Sequence, residues 1–215
     1  ADGFPFSLTI GIYASLVVVF AGILFGSVCA LRQNKLIDRF FMVLSTLGST
    51  IPSFVLATGF LFLFSKTLGL VPAFGVDEVA GYIGPVLVIG AFPLSFITRL
   101  TRTSLVEVQQ QDYIRTARSK GISEFKVIYK HALRNALLPV VTYIGPMVAS
   151  IVTGSFVIET VFGIPGVGQL FTDSIVNRDY PLIMGITVFF AVLLVLAVLI
   201  VDLVYVLIDP RIKLD

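Results

Sequence analysis

The sequence predicts an all-α protein, a bundle of about five transmembrane helices. Of its 215 residues, 57% are hydrophobic and 13% are charged, and its apolar runs are longer than a helix in a soluble core requires. Because a helix rises 1.5 Å per residue, about 20 apolar residues cross a hydrocarbon core about 30 Å thick. The runs show no alternation of apolar and polar residues over ten-residue units, which excludes the strands of a transmembrane barrel.

Five stretches meet or approach the length of a membrane span. They are residues 7–31, 40–64, 83–98, 137–158 and 182–208. The third is the shortest because Pro85 and Pro93 fall within it, and residues 79–82 could extend it. Pro52 is expected to kink the second span and Pro146 the fourth.

Basic residues orient the predicted bundle, because Lys and Arg are retained on the cytoplasmic side more often than they are translocated. With the N-terminus outside and the C-terminus inside, thirteen of the fifteen Lys and Arg residues lie in the cytoplasm. Only Lys66 and Arg178 remain outside. The first six residues contain neither a basic region nor a cleavage site, so an external start predicts at least one further span before residue 1.

One long polar passage interrupts the apolar chain, between Arg99 and Pro139, and it holds eight of the fifteen basic residues. We interpret residues 1–215 as a single transmembrane domain with a cytoplasmic loop over about 99–136. Residues 109–120 can form a short helix, which Gly121 ends, and Ser123 can cap a second helix that runs toward Ala136.

The second of these helices is predicted to be amphipathic. Its apolar face recurs at three- and four-residue intervals, with Lys126, Lys130 and Arg134 on the other side. The members of the apolar face are Phe125, Ile128, Tyr129, Ala132, Leu133 and Ala136. We call the whole helix–glycine–helix segment, residues 109–136, the elbow. Residue chemistry alone leaves two hypotheses open, adhesion to anionic lipid and a docking surface for another protein.

The chain carries no catalytic or metal-binding pattern that we can identify. It lacks the Gly-x-x-x-x-Gly-Lys-Ser/Thr phosphate loop, and the glycine-rich segment 163–168 has no lysine. That segment is better interpreted as an external turn or re-entrant hairpin. His131 has no second histidine or cysteine ligand, Cys29 is expected to be an apolar packing residue, and Asp202 is the one candidate for an ionisable group within a span.

The elbow resembles the cytoplasmic signature of permease subunits in binding-protein-dependent ABC importers. That signature is Glu-Ala-Ala, three residues, Gly, nine residues and Ile-x-Leu-Pro. It aligns here with Arg115-Thr116-Ala117, Gly121 and His131-Ala132-Leu133-Arg134. Arg115, Thr116, His131 and Arg134 depart from it.

The version found here is similar to the dipeptide, oligopeptide and nickel branch of these importers. Residues 153–155 followed by 157–162, then Pro165-Gly166-Val167-Gly168, and the turn at 177–180 share this resemblance. The C-terminal residues 202–211 resemble the B-type subunit of oligopeptide permeases. The resemblance covers nearly all of the chain.

The resemblance implies a type I importer-like fold and a role in ATP-driven import across the cytoplasmic membrane of a prokaryote. The implied partners are a second permease subunit, two ATPase subunits that bind ATP and Mg, an extracytoplasmic peptide-binding protein and membrane lipid, with no nucleic acid. No cofactor or metal is expected in this chain, and no enzymatic activity. The residues expected to couple to the ATPase are Arg115, Thr116, Ala117, Arg118, Lys120, Gly121, Ser123 and Glu124.

A second set of residues is expected at the external turn, in contact with the binding protein. Its members are Glu159, Gly163, Pro165, Gly166, Gly168, Arg178 and Asp179. Three alternatives to a peptide permease remain at this point. They are an importer of nickel or another small solute in the same branch, an integral membrane enzyme, and an autonomous carrier driven by an ion gradient.

Overall fold

A computed structural model describes residues 3–76, 78–152 and 156–208 of the chain. Every regular element in these ranges is helical, as the sequence predicted. The α-helices are α1 (Phe4–Leu31), α2 (Leu36–Thr50), α3 (Ser53–Phe60), α4 (Ile83–Gln109), α5 (Asp112–Ser119), α6 (Glu124–Lys126), α7 (Leu133–Ala136), α8 (Leu138–Val152), α9 (Phe156–Val161), α10 (Val167–Val176) and α11 (Tyr180–Ile208). Wider π-helical turns follow α3 at Leu61–Thr67 and α6 at Val127–Ala132, and a 3₁₀ turn at Val79–Tyr82 leads into α4.

Three helical segments among the described residues are long and apolar enough to cross a membrane. They are Phe4–Leu31, Val79–Gln109 and Tyr180–Ile200, and two bent helix pairs raise the number to five if each pair is one span. The prediction of a polytopic helical bundle is therefore confirmed. The first and fifth predicted spans correspond to α1 and α11.

The second predicted span is not one continuous helix. The chain bends by 110° between Leu36–Thr50 and Ser53–Thr67, so the segment is a broken span or a re-entrant loop. Pro52 lies at the break with extended backbone, at φ −57° and ψ 141°. The kink was predicted at this proline, but the expectation of a single helix over residues 40–64 was wrong, because Pro52 does not take helical dihedrals.

The limits of the third and fourth spans also differ from the prediction. Residues 79–82 do extend the third span, and α4 continues eleven residues past Thr98, to Gln109. In the fourth region the bend of 50° lies between Glu124–Ala136 and Leu138–Val152, whereas α8 continues through Pro146. Residues 153–155, which the sequence analysis placed in this span, lie outside the described residues.

The helices form two compact units. The first comprises residues 1–17, 51–91 and 145–215, and the second comprises residues 18–50 and 92–144. In the first unit, aromatic rings join the last three helices: the ring centroid of Phe156 on α9 lies 4.9 Å from that of Phe171 on α10 and 5.4 Å from that of Phe190 on α11. Between Tyr180 and Ile200, α11 leaves most of its large aliphatic side chains exposed.

In the second unit, two glycines let α1 and α4 approach closely. Gly22 and Gly26 lie four residues apart and therefore on the same side of α1. A Cβ atom at Gly22 would lie 2.6 Å from Cγ2 of Ile97, and one at Gly26 would lie 2.5 Å from Cβ of Thr101. This arrangement of small residues is typical of helix packing in membranes, where close backbone contact replaces the hydrophobic driving force.

A buried ion pair joins α2 to α4 in the same unit. Asp38, in the first turn of α2, is only 2% exposed. Its two carboxylate oxygens accept hydrogen bonds from Nε and Nη2 of Arg102, at 2.6 and 2.7 Å, and one of them also accepts from the backbone N–H of Asn34 at 2.8 Å. The two-pronged geometry and the additional backbone donor satisfy a carboxylate that could not otherwise be buried.

We predict that Asp38→Asn lowers the free energy of unfolding by about 2 kcal/mol, because it leaves the guanidinium of Arg102, which is only 22% exposed, without its counter-charge. Unfolding of the purified protein in detergent measures the effect. Arg39→Gln removes an exposed charge one residue away and should change stability by less than about 0.5 kcal/mol. In a double-mutant cycle, Asp38→Asn and Arg102→Gln should be strongly non-additive, and additive effects would contradict the pairing.

Candidate functional site

The turn of the elbow has the geometry that its glycine predicts. Gly121 has a φ of +75°, its N–H donates to the carbonyl of Arg118 at 2.9 Å, and the N–H of Ile122 donates to the carbonyl of Ala117 at 3.3 Å. These two bonds form a Schellman motif, in which a left-handed residue closes the end of a helix. A Cβ atom at Gly121 would meet nothing within 4 Å, so the glycine is required by its backbone angle rather than by close packing.

The elbow has a buried core that it shares with the ends of α1 and α4. The fully or nearly buried members of this cluster are Ala30, Leu105, Ile114, Ala117, Val127, Ala132 and Ala136. Ala117 is 8% exposed. Its small side chain therefore serves contact within the chain in this structure, where the sequence analysis had assigned it to a partner. The elbow is therefore packed against the ends of α1 and α4.

Only part of the apolar face predicted for the second elbow helix enters the core. Ala132 and Ala136 are buried, but Phe125 and Tyr129 are exposed, and Val127, which was not among the predicted residues, is fully buried. The cause is the π-helical turn over Val127–Ala132. A π-helix closes its hydrogen bonds over five residues instead of four, so Val127 and Ala132, five residues apart, both face the core.

The exposed aromatic residues of the elbow form a pair. The ring centroids of Phe125 and Tyr129 lie 4.4 Å apart, and both side chains are more than half exposed. Two large rings on the outer face of a polar segment are a feature of surfaces that contact another protein. The sequence pattern placed both rings on the predicted apolar face and gave no sign that they pair on the surface.

The remaining elbow residues from the sequence analysis lie near the turn and on the surface. Arg115, Thr116, Lys120 and Ser123 are exposed, and Thr116 donates its hydroxyl hydrogen to the carbonyl of Asp112. Arg115 lies 3.7 Å from the carboxylate of Asp112. Ser123 occupies the N-cap position of α6, but its hydroxyl makes no capping hydrogen bond, so only its predicted position is confirmed.

An ion pair closes the turn of the elbow. Nη2 of Arg118 lies 2.7 Å from Oε1 of Glu124, and Nε of Arg118 donates to both carboxylate oxygens. These hydrogen bonds lower the pKa of the Glu124 carboxyl from its ordinary value and raise the pKa of Arg118. Both groups therefore stay charged at neutral pH, and Arg118 is already paired before any partner arrives.

The second set of predicted residues surrounds the start of α10. Glu159 is 1% exposed, and its carboxylate accepts a hydrogen bond of 2.8 Å from the backbone N–H of Gly168. The N–H of the preceding Val167 donates to the hydroxyl of Ser7 at 3.2 Å. Since the N-cap residue Gly166 has no side chain of its own, two distant side chains cap the first turn of α10, and the negative charge of Glu159 suits the positive end of the helix.

This segment forms a helical hairpin, residues 156–176, in which α9 ends at a second left-handed glycine. Gly163 has a φ of +60°, and the N–H of Ile164 donates to the carbonyl of Glu159 at 2.9 Å. Gly166 packs directly against the Glu159 carboxylate, where any Cβ atom would collide with it. A hairpin is therefore present in this segment, and Gly163 is explained by its left-handed backbone angle and Gly166 by its packing against Glu159.

Arg178 and Asp179 lie at the other end of α10 from Glu159, about 15 Å along a helix of this length. Arg178 has a φ of +56° and occupies the left-handed position of a Schellman motif, since the N–H of Asp179 donates to the carbonyl of Ser174 at 2.9 Å. Asp179 then accepts a hydrogen bond from the N–H of Leu182 at 3.1 Å and caps α11. The structure thus brings Glu159, Gly166 and Gly168 together and keeps Arg178 and Asp179 apart from them.

We predict that Gly166→Ala lowers the free energy of unfolding by about 2 kcal/mol, because the added methyl group would overlap the buried Glu159 carboxylate. Gly185→Ala is the matched control, since a Cβ atom on that helical glycine meets nothing within 4 Å. The control should stabilise the protein slightly through helix propensity. Thermal unfolding of both variants in detergent measures the difference, and equal stabilities would contradict the packing around Glu159.

Arg178→Gly tests the left-handed position at the end of α10. We expect it to raise the free energy of unfolding by about 1 kcal/mol, because glycine adopts a positive φ without the steric cost that a side chain carries. Arg178→Ala should give no such gain. A loss of stability in the glycine variant would contradict the backbone geometry at Arg178.

The chain is similar to known membrane transport proteins over almost its whole length. Residues 22–214 match the family described as "Binding-protein-dependent transport system inner membrane component". The chain is 50% identical over 212 residues to the dipeptide transport system permease protein DppB of Bacillus subtilis (strain 168), covering 99% of this chain and 69% of that protein. It is 43% identical over 215 residues to the oligopeptide transport system permease protein OppB of Haemophilus influenzae, covering 99% of this chain and 70% of that one.

Solved structures support the fold. A chain of the MetNI methionine ABC transporter in an inward-facing conformation has a TM-score of 0.74 at 16% identity, covering 94% of this chain and 93% of that chain. An amino acid ABC transporter has a TM-score of 0.71 at 16% identity, covering 94% and 90%. The helical architecture is thus that of ABC importer permeases, and the sequence match establishes that this multi-pass membrane chain belongs to the family of inner membrane components of binding-protein-dependent transport systems.

Proposed function

We propose that this chain is the B-type permease subunit of an ATP-driven importer of dipeptides or oligopeptides. It pairs with a second permease subunit, two ATPase subunits bind ATP and Mg beneath it, and an extracytoplasmic binding protein delivers the peptide. The chain itself does not hydrolyse ATP. The names of its relatives support the substrate class, since the matches at 50% and 43% identity are a dipeptide and an oligopeptide permease.

The construction of the elbow supports a coupling role. Its turn is fixed by Gly121 and by the Arg118–Glu124 ion pair, and its inner face is packed on Leu105 of α4. A segment held this firmly can transmit a displacement to the helices instead of absorbing it, because packed elements move as rigid bodies. We assign its outer face, including the Phe125–Tyr129 pair and Lys120, to the ATPase subunit.

The proposed orientation places the elbow and the C-terminus in the cytoplasm and the hairpin outside. The distribution of basic residues supports it, since thirteen of fifteen Lys and Arg residues then lie inside. In this orientation the hairpin around Glu159 faces the binding protein. The C-terminal residues 209–215, which contribute two of those basic residues, lie outside the described part of the chain.

Gly121→Pro tests the coupling role. Proline fixes φ near −65°, which is incompatible with +75°, so we expect the variant to insert and assemble but to lose most peptide uptake while ATP hydrolysis continues. Gly121→Asn is the matched control, because asparagine tolerates the left-handed region, and it should retain most of the uptake. The measurement is ATP hydrolysis and peptide uptake by the complete transporter in proteoliposomes.

Three outcomes would contradict, respectively, the coupling role of the elbow, the ATP-driven mechanism and the substrate class. Normal coupled uptake by Gly121→Pro would contradict the coupling role of the elbow. Uptake by wild-type protein that requires neither ATPase subunits nor binding protein, and that follows a proton or sodium gradient, would contradict the importer itself. Uptake of a nickel chelate in place of peptides would contradict the substrate class alone.

A further inference from the structure

The turn between α1 and α2 carries an exposed cationic and apolar surface. In residues 31–40 every side chain is exposed except that of Asp38. Three of the exposed residues are basic, Arg32, Lys35 and Arg39, and none of them forms an ion pair within the described residues. Among them lie Leu36, which is 82% exposed, and Phe40, which is 63% exposed. We call residues 32–40 the α1–α2 patch.

The buried ion pair in this region sets the charge of the patch. Asp38 is the single acid in the segment, and Arg102 draws its carboxylate into the unit with two hydrogen bonds. Because Arg102 balances the charge of Asp38, the three basic neighbours leave this segment with a net positive charge. The outward face presents three positive charges, and Asn34, Lys35, Leu36, Ile37 and Arg39 line an open depression in it.

The position of the patch in the fold identifies the chemistry of its ligand. α1 has 28 residues and is about 42 Å long, which exceeds the hydrocarbon thickness of about 30 Å. Its end, where the patch begins, therefore lies at a membrane–water interface. Exposed leucine and phenylalanine side chains beside lysine and arginine suit that boundary. The apolar side chains can enter the acyl region while the basic groups bind the lipid phosphate.

We propose that the α1–α2 patch binds an anionic phospholipid, with Lys35, Arg39 and Arg32 around the phosphate and Leu36 and Phe40 against the upper acyl chain. An acidic protein surface could pair with the basic residues, but it would not account for the exposure of Leu36 and Phe40 beside them. Each basic residue near an anionic membrane surface contributes about a fivefold change in affinity. This inference does not depend on the proposed substrate or on the coupling role of the elbow.

The test uses the complete transporter with a fluorophore next to the patch. Gln33 is exposed, and the chain's single cysteine, Cys29, is fully buried. A bimane label on Gln33→Cys reports the patch once the labelling of the unsubstituted transporter, which includes any cysteines of the other subunits, has been subtracted. The labelled complex is placed in nanodiscs that contain either brominated phosphatidylglycerol or brominated phosphatidylcholine. Each lipid is added over the same series of mole fractions, and the quenching of bimane fluorescence is measured at each one.

We expect phosphatidylglycerol to quench at a lower mole fraction than phosphatidylcholine. Lys35→Gln should raise the phosphatidylglycerol midpoint about fivefold and leave that of phosphatidylcholine unchanged, and Arg39→Gln should do the same. Lys66→Gln is the matched control, because it removes one exposed lysine from the other unit. Equal quenching by both lipids would overturn the proposal, and so would an absence of quenching by either, which would mean that a partner protein covers the patch.

Discussion

Arg102 and Leu105 lie three residues apart near the end of α4, and these two side chains join α4 to α2 and to the elbow. Arg102 binds the carboxylate of Asp38 and so fixes the start of α2. Leu105 is fully buried in the core of the elbow. Residues three apart on a helix face the same side, so one helical turn connects α4 to both α2 and the elbow. A force on the elbow can reach the rest of the unit through this turn.

The short helices of the elbow depend on that attachment. α5 has eight residues, and α6 and α7 are shorter still, whereas isolated helices of fewer than about 12 residues are marginal in water. Their stability must come from burial of Ile114, Val127 and Ala132 against Leu105. Left-handed Gly121 then sets the angle between the two halves without any packing of its own. The geometry that a partner would meet is thus determined by the chain itself.

The sequence revealed the features that follow from length, charge and single residues with strong backbone preferences. The long apolar runs, the location of a kink at Pro52 and the turn at Gly121 are of this kind. The 110° bend at Pro52 and the π-helical turn at Val127–Ala132 could not be predicted, because their geometry depends on packing rather than on local periodicity. The Asp38–Arg102 pair joins residues 64 positions apart, and the Glu159–Gly168 bond joins two helices. Neither leaves a local pattern.

The two buried carboxylates of the described chain bear on the type of transport. Asp38 and Glu159 are both buried, and buried acids within a membrane protein are otherwise candidates for proton transfer. Asp38 accepts a backbone N–H from Asn34 in the turn before α2 and also binds Arg102, and Glu159 accepts one from Gly168 in the first turn of α10. If either carboxylate moved away to carry a proton, the hydrogen bond that it accepts beside a helix N-terminus would be lost. Both carboxylates therefore have a structural role. This favours a permease driven by separate ATPase subunits over a carrier driven by protonation of its own acids.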